Sequence, residues 1–202
     1  MDLLPPHSAP ASAPTALRRI PSPIGRIEIV GDGEAVVSVA IERDGRLPAD
    51  EHPESPDSVV DAAAAQLEEY FAGARQRFDL PVRPVGTDFQ RAVWTELARL
   101  DFGEVVSYGD LGRATGRETA GRAIGGAVGA NPVPIIVPCH RVLASDGRIT
   151  GYSGGEGIPT KAWLLDHEGI AHRPTRTAPA PGGSAAPDSP TLDSPPLDIP
   201  AA

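Results

Sequence analysis

Three prolines stand in one short run, at Pro132, Pro134 and Pro138. Proline fixes its own φ and removes a backbone donor, so the run can be neither a helix nor a central strand. The stretch 131–141 is therefore a stiff connection kept from ordinary ladder pairing. It ends on Cys139 and His140, and Cys139 is the one cysteine in 202 residues. One cysteine closes no internal disulfide and no cysteine-based zinc site. Two readings of it stand side by side. A lone cysteine is often a small buried apolar residue. Alternatively it is a nucleophile, which needs a base to take its proton and a third group to orient that base. The rigid frame and the adjacent His140 shift weight toward the nucleophile. Neighbouring side chains diverge in extended chain, so a bridging water would connect the two.

The rest of the chain divides around this segment. Residues 1–17 are rich in Pro, Ala and Ser and read as a disordered arm. Residues 173–202 are proline-rich and read as a disordered tail, leaving 18–172 as the folded part. Residues 26–30 and 35–42 flank a Gly-Asp-Gly turn and predict a β-hairpin. Ser55 and Pro56 predict a helix start, with Val59, Val60, Ala63, Leu67, Tyr70 and Phe71 as its inner face and Gly73 as its end. Residues 77–80 read as a short strand. Thr87 and Gln90 form a capping box ahead of a helix with Phe89, Val93, Trp94, Leu97 and Leu100 inward. The expected organisation is an N-terminal lobe over 18–85 and a second lobe over 86–172. No apolar run reaches the roughly 18 residues needed to span a bilayer. The N-terminus lacks a secretory pattern, so a soluble cytoplasmic protein is expected.

The net charge of −9 argues against nucleic acid as a general partner. Within 111–130, however, Arg113, Arg117 and Arg122 face only Glu118. Two short helices are expected here, one from about Ser107 and one over 118–130, with the turn at 115–117. This is either a helix-turn-helix or a pair of unremarkable surface helices. The second helix holds Gly121, Gly125, Gly126 and Gly129, and each costs about 1 kcal/mol against alanine in a helix interior. Missing side chains let something large approach the backbone. Tight internal packing and a DNA surface both account for that.

A third group for Cys139 and His140 is sought in the last helix, read as capped by Thr160 and ended by Gly169. Glu168 lies four residues after Leu164 and shares its face. It is either a buried carboxylate that needs a partner, with His140 the candidate, or a solvated glutamate at the helix's negative end. Between the two lies a glycine-flanked loop presenting Tyr152 and Ser153.

Together these residues resemble the O6-alkylguanine-DNA alkyltransferase family. The resemblance is carried by Asn-Pro-Val-Pro at 131–134, Pro-Cys-His-Arg-Val at 138–142, Tyr-Ser-Gly-Gly at 152–155 and the helix over 161–169. Phe89, Gln90, Val93 and Trp94, and the Ser-Tyr-Gly run at 107–109, match as well. The resemblance is dense over 86–170 and looser over 20–82. It implies an α/β fold of two lobes: a ribonuclease-H-like N-terminal lobe and a mostly helical lobe with a winged helix-turn-helix. It implies that Cys139 accepts an alkyl group irreversibly from O6-alkylguanine in double-stranded DNA, each molecule acting once, with O4-alkylthymine a further substrate to test. His140 would act as base through water, Glu168 would orient it, and Asn131 would hold the loop. Arg122 and Tyr108 would serve base flipping from the minor groove, with Gly121 and Ala123 at the DNA. Tyr152, Ser153, Pro134 and Val142 would form the pocket, with backbone carbonyls near Cys139 and Val142 reading the base. No metal or organic cofactor is implied, no membrane partner is expected, and the protein is expected to be a monomer. Gly129 stands where relatives often carry a second basic residue, which implies modest DNA affinity. Three rivals remain: a lesion binder without transfer, which Cys139 opposes; a thiol hydrolase, which predicts turnover; and a transcription regulator, which leaves the Pro-Cys-His frame idle.

Overall fold

The computed structural model describes residues 15–117 and 120–175. The expected start of the second short helix at Glu118, most of the expected arm and nearly all of the expected tail lie outside these residues. Strands β1 (Ala16–Ile20), β2 (Ile27–Gly31) and β3 (Val36–Ile41) form an antiparallel sheet in the order β1-β2-β3. The β2–β3 pair is the expected hairpin. Strand β1 overlaps the expected arm, because Ala16 pairs with Gly31 and Leu17 with Val30. Both side chains are buried, so pairing and burial extend order two residues upstream of the compositional boundary. Helix α1 (Ser58–Phe71) lies on the sheet through Val60, Ala63 and Leu67. A β-carbon at Gly31 would come 2.9 Å from Val60 Cγ1, so only glycine admits the helix there.

Helix α1 is capped by Asp57, not Ser55: its carboxylate accepts from the Val59 and Val60 N–H groups. Ser55 is committed elsewhere, its backbone paired in both directions with Leu17. No strand forms over 77–80. The Gln66 amide instead satisfies both backbone groups of Asp79, and the sheet contact falls at Val82, which bridges Val36.

The second lobe begins with α2 (Asp88–Ala98), whose Thr87–Gln90 capping box is formed. Helix α3 (Tyr108–Ala114) follows strand β4 (Val106–Ser107) and is capped by Ser107. Helix α4 (Gly121–Gly129) packs across α2, and the buried Trp94 Nε1 donates to the Ala127 carbonyl at 2.8 Å. A 3-10 turn, Cys139–Arg141, leads into β5 (Val142–Leu143), which pairs with β4. Helix α5 (Ile158–His167) starts after Gly157, two residues before the expected cap, with Pro159 in its first turn. Thr160 lies inside the helix, where its hydroxyl accepts from the Glu156 N–H. Arg173 bridges Arg148, so the ordered chain runs past the expected tail boundary.

One apolar core joins the lobes, from Ile29 and Leu67 through Tyr70 to Trp94, Ile124, Cys139 and Leu164. Among the described residues no helix is long and apolar enough to cross a membrane.

Candidate active site

Cys139 opens the 3-10 turn at the end of the proline run and is buried. The run is held by Asn131. Its side-chain Nδ2 donates to the Val137 carbonyl at 2.8 Å, and its Oδ1 accepts from the Val133 N–H at 3.1 Å. Between them Ile135 sits at φ 74°, a left-handed conformation that a β-branched residue rarely adopts. Such a residue stores about 1–3 kcal/mol of strain and persists only where its surroundings over-determine it. The Asn131 clamp and the buried neighbours Val133, Ile136 and Val137 do so here.

Burial pushes the Cys139 thiol up, against the opposing influence of the Asn131 amide, the Lys161 ammonium and the Tyr152 hydroxyl. The resting sulfur is therefore a thiol, and attack requires a base. His140, fully buried, has Nε2 2.8 Å from Glu168 Oε1. Burial lowers its pKa further than Glu168 raises it, so the imidazole is neutral. Glu168 is held ionised well below the usual carboxylate range: its hydrogen bonds to His140 and Arg141 outweigh the larger single effect of burial. A carboxylate only accepts, so the imidazole proton sits on Nε2 and the lone pair on Nδ1. That Nδ1 is buried and has no hydrogen-bond partner.

The carboxylate is secured on both oxygens. Arg141 donates from Nε to Oε2 at 2.7 Å and from its terminal nitrogen to Oε1 at 2.9 Å. Its other terminal nitrogen donates to the Leu100 carbonyl at 2.8 Å. Gly103 N–H reaches Oε2 at 3.3 Å, and Tyr70 Oη, from α1, donates to Oε1 at 2.9 Å. Across the site Lys161 is buried with Nζ donating to the Val142 carbonyl at 2.5 Å, and burial lowers its pKa to about 8.

In front of Cys139 lies a cavity of about 280 Å³, lined by Tyr108, Gly129, Tyr152, Ser153 and Lys161 among others. Tyr152 Oη is buried in it, near enough to the Cys139 sulfur to hold the thiol down, and makes no hydrogen bond to a nitrogen or oxygen among the described residues. Ser153 Oγ donates to the Gly129 carbonyl at 2.7 Å, tying the loop to the end of α4. The loop is also fixed from the first lobe. Arg43 Nε donates to the Gly155 carbonyl at 2.6 Å, and a β-carbon at Gly155 would meet Ile41 and Thr160 within 2.8 Å.

Residues 18–84 match the family "6-O-methylguanine DNA methyltransferase, ribonuclease-like domain", and residues 88–170 match the DNA binding domain of the same family. The chain belongs to the 6-O-methylguanine DNA methyltransferase family. A methylated-DNA–protein-cysteine methyltransferase of Haemophilus influenzae is 39% identical over 75% of this chain and 85% of its own length. One from Methanosarcina acetivorans is 41% identical, over 73% and 94%. The crystal structure of Mycobacterium tuberculosis O6-methylguanine methyltransferase superposes with TM-score 0.67 at 40% identity, covering 76% of this chain and 92% of that one. The OGT of that species in complex with DNA gives TM-score 0.66, again at 40% identity, over 75% and 91%.

In this family member His140 is bonded to Glu168 directly after Cys139 in the 3-10 turn, and Asn131 holds the run that leads into that turn. Tyr108, Tyr152 and Ser153 line the cavity beside them. Two residues expected at the pocket lie elsewhere. Pro134 lines a neighbouring groove with Ser153 and Asn131. Val142 offers its carbonyl to Lys161 rather than to the cavity. On α4, Gly121, Arg122 and Ala123 are all exposed. A β-carbon at Gly121, Gly126 or Gly129 would meet nothing within 4 Å, so tight internal packing does not explain these glycines. Arg113 pairs with Asp110, and Arg117 stacks on Phe89 at 4.8 Å. Arg122 makes no hydrogen bond or ion pair among the described residues. Sequence reasoning missed Arg141, Lys161 and Tyr70 as site residues. Lys161 was detectable, since it shares the helical spacing of Leu164, Leu165 and Glu168.

Proposed function

We propose that Cys139 is the alkyl acceptor in a direct repair reaction on O6-alkylguanine in double-stranded DNA. The family carries the reaction class, since its named members transfer methyl groups from methylated DNA to a protein cysteine. The observation that carries the assignment is the chain's one cysteine, seated beside a neutral His140 whose unpartnered Nδ1 is backed by an ionised Glu168. When the lesion enters the cavity, Nδ1 takes the thiol proton through a bridging water. The sulfur attacks the alkyl carbon, the carbon–oxygen bond breaks, its electrons pass to O6, and the guanine anion so formed takes up one proton, balancing the one held by His140, to restore guanine. In this reading the Tyr152 hydroxyl bonds that oxygen, while the Ser153 hydroxyl, donating to the Gly129 carbonyl, keeps the loop in place. A thioether does not revert, so each molecule acts once.

DNA meets the open glycine face of α4 in the minor groove. Arg122 fills the space left by the flipped nucleotide, and Tyr108 steadies it; extrusion costs a few kcal/mol, least for a weakly paired damaged base. The protein works as a monomer in the cytoplasm, and O4-alkylthymine is a candidate second substrate.

The test is a titration of limiting protein against excess O6-methylguanine duplex. Restored guanine should plateau at one equivalent of protein. Continued formation would mark a thiol hydrolase, and binding without formation would mark a lesion binder.

A further inference from the structure

Among the described residues, Tyr70 is the one group that the first lobe inserts into the hydrogen bonding behind Cys139. Its ring is fully buried and held edge-on by Phe71 at 5.4 Å and His167 at 4.9 Å, with Phe78 and Phe102 completing the cage. Its carbonyl is fixed as well, 2.7 Å from His167 Nε2. The hydroxyl therefore has one place to go, and that place is Glu168 Oε1 at 2.9 Å. The same oxygen receives the His140 Nε2–H at 2.8 Å.

We propose that Tyr70 is a positioning residue for alkyl transfer: by sharing Glu168 Oε1 with His140, it limits how strongly the carboxylate holds the imidazole and so keeps His140 available as a base. The inference rests on the assignment of His140 as the base for Cys139. Each donor to Oε1 draws charge away from the His140 proton. Without the Tyr70 hydroxyl, Glu168 holds the protonated imidazole more tightly. The other groups around this pair stay as they are: Arg141 on the 3-10 turn, Lys161 and His167 on α5, the Gly103 N–H and the Cys139 thiol.

The sign follows from the base role. His140 works only when neutral, so transfer falls as pH drops through its pKa. Removing the Tyr70 donor raises that pKa, and the acid limb of the rate profile moves upward.

The experiment compares Tyr70→Phe with the unaltered full chain, measuring single-turnover transfer from an O6-methylguanine duplex across pH. The expected result is an acid limb shifted up by about one pH unit, with the rate at alkaline pH within a few-fold of the original. A uniform loss at every pH, or an unchanged profile, overturns the proposal and leaves Tyr70 as core packing. If Tyr70→Phe does not fold, site-specific 3-fluorotyrosine at position 70 decides. Its more acidic hydroxyl bonds Glu168 more strongly and should move the limb down, and no movement overturns the proposal. Transfer by the unaltered chain tests the assignment of Cys139 and His140 separately.

Discussion

The two sides of Cys139 are built differently. Behind it Glu168 accepts from the buried His140, Tyr70 and, twice, Arg141, and from the exposed Gly103 N–H. In front, Tyr152 Oη has only the Cys139 sulfur beside it, Gly121, Gly126 and Gly129 of α4 face open space, and Arg122 is unengaged among the described residues. The back is complete before any ligand arrives. Its geometry is established by folding, so no reorganisation is needed at the moment of reaction. The front holds polar and cationic groups whose partners, on the proposed function, the DNA would supply. Stability and activity should therefore separate when the two sides are altered.

The largest effect is expected behind the cysteine. Glu168→Gln leaves the Arg141 guanidinium buried without its counter-charge and removes the orienting group for His140. It should cost about 3–5 kcal/mol of stability and slow transfer in the fraction that folds. Denaturant unfolding and single-turnover rates measure the two, and a variant of full stability would break the contrast between the sides. Tyr152→Phe should behave oppositely. It deletes a buried hydroxyl whose neighbour is the Cys139 sulfur, so stability should hold to within about 1 kcal/mol while transfer slows. A fall in stability would place Tyr152 with the back of the site.

Gly126→Ala sharpens the contrast further. The added methyl meets nothing within 4 Å and should stabilise α4 by about 1 kcal/mol, yet weaken lesion binding by intruding on the DNA surface. Tighter or unchanged binding would remove the purpose assigned to the glycines. Arg122→Ala should change stability by less than about 0.5 kcal/mol. It should slow transfer from duplex DNA while leaving the thiol's intrinsic reactivity intact, and equal rates on duplex substrate would dismiss the flipping role.

The parts of the site that sequence could reach share a physical trait: their partners are close along the chain or repeat with helical period. The proline run, the Thr87–Gln90 capping box, the β2–β3 hairpin and the placing of Glu168 on the Leu164 face are of this kind. What was hidden depends on partners far away. The hydroxyl of Tyr70 reaches Glu168 across 98 positions, and spacing along α1 marks Tyr70 only as a core residue. Ser55 resembles a helix cap until its backbone is claimed by Leu17, and β1 is masked by the composition of the segment before it. Thr160 stands at a plausible cap, but Gly157 and Pro159 let α5 begin earlier. Arg141 looks like a surface cation unless the buried carboxylate it serves is already known.

The central claim is that Cys139 is consumed by the lesion. The direct measurement is the mass of the Cys139 peptide after folded protein is exposed to excess O6-methylguanine duplex. A gain of one methyl group on that peptide, complete in all molecules and absent with undamaged duplex, is the predicted result. An unmodified Cys139 peptide after full exposure, or a methyl group found on another residue, would contradict it.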